Sequence, residues 1–248
     1  MERLYKNCRA LFDTAFPGED KAWSDALFAY ALPHALRVIR EGDRPKAMLF
    51  ALPYDIVLPG GCLQAAKYLY AVSTDPACRG QGLAKRLLND VAAEGAPVFL
   101  RPMSASLFDF YKNAGLSPVS PYLEMSGESE PADEAFKSLT AAEYLAARKD
   151  FLKPPYAVPT ADFLSLGFSF GGAVALDGKF AAYYERREDE IFFKEWLGDT
   201  AFAPRVAAYL GAARYKLRTP CGENEAGATP FGMAVGCPPD LCFLIALD

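Results

Sequence analysis

A chain of 248 residues, 52% apolar and 23% charged, has the composition of an ordinary soluble globular protein and can bury one large core or two modest ones. Its net charge of −5 disfavours broad binding to nucleic acid or to anionic membranes, so an anionic ligand needs a local site. No run of eighteen apolar residues offers a transmembrane helix, and the charged start MERLYKNCRALFD lacks the apolar stretch of a signal peptide, so a cytoplasmic location is expected.

The spacing of Leu4, Cys8, Leu11 and Phe12 predicts a first helix, and that of Trp23, Ala26, Leu27, Tyr30 and Ala31 a second, behind Pro17-Gly18. Leu36 to Arg40 and Ala47 to Leu52, split by Glu41-Gly42-Asp43, read as a hairpin. After Pro59-Gly60-Gly61, the run Tyr68 to Thr74 has the aromatic and β-branched content of a strand, stopped by Pro76. Leu83, Ala84, Leu87, Leu88 and Val91 then fall at helical spacing, with Gly95 placed for a left-handed C-cap. A short buried strand over 96–100, a serine-capped helix from Ser104 to Asn113 closed by Gly115, and a strand from Pro121 to Met125 follow.

The turn Arg79-Gly80-Gln81-Gly82-Leu83-Ala84 joins the strand to the helix. Helix N-termini leave N–H groups unpaired and carry partial positive charge, glycines admit a phosphate to the backbone, and Arg79 adds a cation. A glycine pair alone is equally compatible with an ordinary turn. Other chemistries have little support. The six cysteines, Cys8, Cys62, Cys78, Cys221, Cys237 and Cys242, show no CxxC pairing and read as free thiols of a reducing compartment. His34 is the only histidine, which argues against a histidine-based metal site or a Ser-His-Asp triad, and no metal is expected.

The segment VSTDPACRGQGLAKRLL resembles the acetyl-CoA-binding signature, Arg/Gln-x-x-Gly-x-Gly/Ala, of the GCN5-related N-acetyltransferase (GNAT) superfamily. About twenty residues past that helix, SASLFDFYKNAGL is similar to the family's second motif, a helix ending in Phe-Tyr-x-x-x-Gly-Phe. The resemblance covers roughly Arg3 to Met125; Ala84, Ser104 and Leu116 stand where glycine, asparagine and phenylalanine are usual. It implies an α/β fold with a mixed sheet and acetyl transfer from acetyl-CoA to an amine. By the same resemblance, the backbone of Val72, Ser73 and Thr74 holds the pantetheine arm. Arg79, Gly80, Gln81, Gly82, Leu83, Ala84 and Lys85 cradle the pyrophosphate, Ser104 adds a cofactor contact, and Tyr111 is the catalytic tyrosine. A tyrosine packed on a helix face is the plain alternative for Tyr111.

In the second half, a helical stretch carrying Phe136, Leu139, Tyr144, Leu145 and Phe151 lies between Pro131 and Pro154-Pro155. Strands follow over Gly172 to Leu176, Phe180 to Glu185 and Ile191 to Leu197, with an Asp177-Gly178 hairpin turn, then a helix from Ala203 to Leu210. The Gly- and Pro-rich stretch from Pro220 to Gly236 reads as irregular, and Leu241 to Leu247 as a last strand. This order repeats that of the first half without its glycine turn, and resembles tandem acetyltransferases of the enhanced-intracellular-survival type. The expectation is an acetyl-CoA-binding domain over 1–127 and a degenerate GNAT-like domain over 128–248. In such relatives the C-terminal carboxylate serves as base, which would put Asp248 in play. The expected substrate is a primary amine of a small molecule or peptide; an oligomer is compatible. A non-catalytic acetyl-CoA-binding module and an aminoglycoside-type acetyltransferase are the alternatives.

Overall fold

The computed structural model describes residues 2–245. Helix α1 (Glu2–Ala15) buries Leu4, Cys8, Leu11 and Phe12, the positions whose spacing predicts it. Asp20 accepts a hydrogen bond from the Trp23 N–H and caps α2 (Lys21–Ala31). β1 (Leu36–Glu41) and β2 (Arg44–Val57) form the expected antiparallel hairpin. β3 (Leu63–Thr74), α3 (Leu83–Ala92), β4 (Val98–Leu100), α4 (Ala105–Asn113) and β5 (Ser117–Glu128) follow in the expected order.

The stretch before Pro154 is not one helix. β6 (Lys137–Leu139) pairs with a later strand, and α5 (Ala141–Ala147) begins only at a capping box in which Thr140 and Glu143 satisfy each other's backbone N–H. β7 (Tyr156–Pro159) and α6 (Ala161–Gly167), capped by Thr160, come next. β8 (Gly171–Leu176), β9 (Phe180–Arg187) and β10 (Glu190–Gly198) make an antiparallel meander. α7 (Ala203–Tyr209), β11 (Arg214–Pro220) and β12 (Thr229–Val235) complete the order. β12 runs through the Gly- and Pro-rich stretch where composition predicts only turns. In place of the last expected strand, the described residues show a single bridge from Cys242 to Tyr156; Ala246 and Leu247 lie outside them.

The chain forms two compact units. The first comprises Met1–Asp55, Gln64–Pro118 and Gly232–Pro239. Its strands run in the order β1-β2-β3-β4-β12. β4 is parallel to β3, and β12 lies antiparallel to β4, with Met233 opposite Leu100 and Val235 opposite Val98. One face packs α3 and α4 through Leu49, Leu69, Leu87, Leu88, Val91 and Leu100. On the other face Phe28 meets Phe12 and Phe50 edge-on, at 5.3 and 5.1 Å.

The second unit comprises Ile56–Leu63, Val119–Phe231 and Asp240–Asp248. Its order is β6-β8-β9-β10-β11-β5, with β11 parallel to β10 and β5 antiparallel to β11. Each unit is therefore a meander, a helix, a parallel strand and an antiparallel neighbour, a mixed α/β arrangement used twice. Where the first unit has its glycine turn, the second has Gly198-Asp199-Thr200. The Asp199 carboxylate accepts the Ala201 N–H at 2.9 Å, and its carbonyl accepts from Trp196 Nε1 at 3.2 Å. Trp196 is wholly buried and stacks on Phe180 at 4.6 Å.

The second unit also encloses an ion pair. Arg148 and Glu195, both fully buried, meet through two hydrogen bonds of 2.7 and 3.0 Å. Tyr144 donates to the same carboxylate at 2.7 Å, and Arg148 also donates to the Ala157 carbonyl at 2.9 Å. Among the described residues no helix is long and apolar enough to cross a membrane, and no cluster of ligating side chains could hold a metal.

Candidate active site

The site is built on β3, whose backbone changes course at Ala71. This residue has φ +55°, a left-handed conformation uncommon for a residue with a Cβ. Simple alternation would place residues two apart on one face. Instead Leu69 and Val72, three apart, both reach the α3–α4 core. β4 is in register with β3 only at Lys67–Val98 and Tyr68–Phe99, although β3 continues to Thr74. Beyond Tyr68, the β3 edge on that side carries backbone groups that β4 does not pair.

The chain then turns through Asp75. Its carboxylate accepts from the Ala77 N–H and from Arg44 Nη2, each at 2.9 Å, and the Arg44 bond holds its pKa below the usual range. That pairing occupies the one carboxylate of the turn and fixes the short helical turn Pro76–Cys78. Gly80 and Gly82 follow with φ +75° and +72°. Gly82 is the N-cap of α3 and supplies no side-chain bond, so the first N–H groups of this ten-residue helix are left for another partner. A Cβ on either glycine would meet no protein atom within 4 Å. The space above this backbone is open.

Opposite stands α4. Tyr111 is buried, its ring edge-on to Phe110 at 5.1 Å, and burial pushes its phenol up to about 12. Lys85 Nζ donates to the Asn113 carbonyl at 3.0 Å and ties the start of α3 to the end of α4. Between them lies a cleft of about 580 Å³.

Of the residues expected in the site, Val72, Ser73, Thr74, Arg79, Gly80, Gly82, Leu83, Ala84, Lys85 and Tyr111 all line this cleft. Gln81 and Ser104 are exposed and do not. Ser104 holds the N-cap position of α4, but its hydroxyl pairs with that of Ser106 at 3.0 Å instead of capping the helix. Asp248 lies outside the described residues. The wall also includes Ala15 and Phe16 at the end of α1, Met103 just before α4, and Leu107 on it. The last two fall at helical spacing with Phe110 and Tyr111, a signal the sequence offers; Ala15 and Phe16 have none. Tyr68 is buried among Tyr54, Tyr70 and Phe99, so it packs in the core. The Tyr70 hydroxyl accepts from Trp23 Nε1 at 3.4 Å.

Residues 2–119 match the family model described as an acetyltransferase (GNAT) domain. No curated protein sequence matches the chain. Among solved structures, a GCN5-related N-acetyltransferase from Kribbella flavida is similar at 14% identity and TM-score 0.66, over 94% of this chain and 69% of that one. Eis1 from Mycobacterium abscessus is similar at 13% identity and TM-score 0.63, over 93% of this chain and 70% of that one. A GCN5-related N-acetyltransferase from Anabaena variabilis is similar at 13% identity and TM-score 0.63, covering 94% and 70%. At such identities the likeness establishes the fold, which extends over both units. The family match and the cleft walled by both motifs fall on the same residues, so over 2–119 the chain is similar to a GNAT acetyltransferase domain.

Proposed function

We propose that this chain moves the acetyl group of acetyl-CoA directly to a primary amine of a small molecule or peptide. The observation that carries the reading is convergence: the glycine turn, the unpaired edge of β3 and Tyr111 share one cleft. The residues fit the cosubstrate. Open space over Gly80 and Gly82, the free N–H groups of α3 and the cations Arg79 and Lys85 suit a pyrophosphate. The edge of Val72 to Thr74 suits an amide-bearing arm, which can pair with it as a strand would.

Acetyl-CoA supplies an activated acyl group and a thiolate leaving group. The amine nitrogen bonds to the carbonyl carbon, the carbon–sulfur bond breaks with its electron pair on sulfur, and the nitrogen gives up one proton. In this reading Tyr111, which lines the cleft, donates its hydroxyl hydrogen bond to the departing sulfur. A phenol near 12 against a thiol near 8.5 makes full proton transfer uphill by about 5 kcal/mol. Tyr111 therefore acts as a neutral donor whose hydrogen bond strengthens as sulfur gains charge.

The test is thiol release from acetyl-CoA across a panel of polyamines, amino acids, peptides with free amines and aminoglycosides. Release above background with at least one primary amine is expected. Binding of CoA with no release on any amine would indicate a binding module instead. Failure to bind CoA at all would reduce the turn to an ordinary strand-to-helix connection.

A further inference from the structure

β1 is an outermost strand: among the described residues it pairs with β2 on one side and with no strand on the other. The Ala51 N–H donates to the Ala35 carbonyl at 2.8 Å, and the register continues through Leu36–Phe50 and Val38–Met48. Hydrogen-bonded pairs alternate along an antiparallel ladder, so Arg37 and Ile39 turn their backbone groups to β2, and Leu36 and Val38 turn theirs outward. The Leu36 carbonyl accepts from Arg37 Nη1 at 3.3 Å, and no other backbone in the described residues meets this outer margin.

Beside the margin, between β1 and α3, lies a groove of about 440 Å³. Its floor is apolar, from Ile39, Leu87 and Val91. Its rim carries Arg37, Arg40 and Arg86 with one carboxylate, Asp90. Arg37 is held by Glu94 at 3.1 and 3.3 Å, and Lys67 shares that carboxylate. Arg86 reaches Asp90 only at 3.9 Å. Arg40 is exposed, donates to the Gly42 carbonyl at 3.0 Å, and forms no ion pair among the described residues. Glu41, at the end of β1, is taken up by Lys46 at 2.7 Å. In a chain of net charge −5, this margin thus has a local surplus of cations.

We propose that the β1 edge is a docking surface for an extended, acidic segment of another protein, which adds to the sheet as a strand. Its carboxylates meet Arg40 and Arg86, and its apolar side chains cover the floor of the groove. Charged side chains often guard a sheet edge against any strand. Here the surplus is positive, so the edge refuses a basic strand and admits an acidic one. A second copy of this chain fits poorly: in antiparallel pairing centred on Val38 and Ile39, Arg37 of one copy would face Arg40 of the other. The groove shares no lining residue with the cleft, so the proposal stands apart from the acetyl-CoA reading.

The test measures the fluorescence anisotropy of a short fluorescein-labelled peptide alternating Glu and Val, with wild type and with Arg40→Glu/Arg86→Glu. The controls are the same peptide N-methylated on every residue, which cannot pair as a strand, and a peptide alternating Lys and Val. Wild type should bind the Glu-Val peptide, and the charge-reversed variant should bind it at least about tenfold more weakly with an unchanged unfolding temperature. N-methylation should abolish binding, and the Lys-Val peptide should not bind. Both control peptides are measured on wild type, so they test the proposal whether or not the variant folds. Equal affinity for the N-methylated peptide would mean that charge adsorbs without strand addition, and would overturn the proposal. So would equal affinity of variant and wild type, equal affinity for the Lys-Val peptide, or no binding of the Glu-Val peptide to wild type.

Discussion

Tyr111 illustrates how one side chain can be legible in kind and not in strength. The Phe-Tyr helix motif points to it, and the cleft wall includes it, but its environment comes from packing. Leu69, Leu107 and Leu116 belong to the same buried cluster, and desolvation pushes the phenol up to about 12. The consequence has a definite sign. A raised phenol pKa preserves the neutral donor as pH climbs and removes it only near pH 12. Turnover should therefore rise with pH as the acceptor amine loses its proton, with no descending limb from Tyr111 between pH 6 and 10. Replacing Tyr111 by Phe should lower turnover by about 10²-fold and leave the CoA dissociation constant within about threefold. A wild-type limb falling near pH 10 that disappears in the variant would contradict the neutral-donor role. Ser104 shows the opposite outcome. As a cap residue it has the right identity, but the neighbouring Ser106 hydroxyl competes for it, and a motif cannot show that competition.

At the scale of elements, the turn into α3 is legible as a turn from its two glycines, which a ligand cradle and an ordinary connection would share. Both glycines adopt positive φ over empty space. Gly82→Val should keep the fold, at a strain cost of roughly 1–2 kcal/mol, while its side chain fills the volume a phosphate needs. Calorimetry should find CoA binding weakened at least about 100-fold, with circular dichroism unchanged. Other elements were hidden for physical reasons. Ala71 breaks the alternation of β3 without a glycine to announce it. α6 has seven residues, too few for helical spacing to stand out, and β6 has three. β12 carries Pro230 and Gly232, which demote a strand in any reading of propensity; pairing with β4 overrides them.

For the whole molecule, the duplicated order of strands and helices was visible in the hydrophobic pattern, whereas the buried charges of the second unit were not. Glu195 lies in an apolar-looking strand, and only the structure brings Arg148 and Tyr144 to it. Breaking such a pair leaves an uncompensated buried charge and typically costs about 3–5 kcal/mol. Glu195→Ala should accordingly lower the unfolding temperature by roughly 6–20 °C in a scanning calorimeter. A shift below about 2 °C would mean that water reaches Arg148.

The path of β12 bears on how the molecule comes into being. The sheet that carries the cleft has β4 near residue 100 and the strand beside β4 at Thr229–Val235. On a ribosome, which makes the chain from its N-terminus, β4 emerges long before its neighbour exists. Until the residues of β12 emerge, the nascent cleft-bearing sheet has an open, hydrogen-bond-hungry margin, the kind that recruits stray strands.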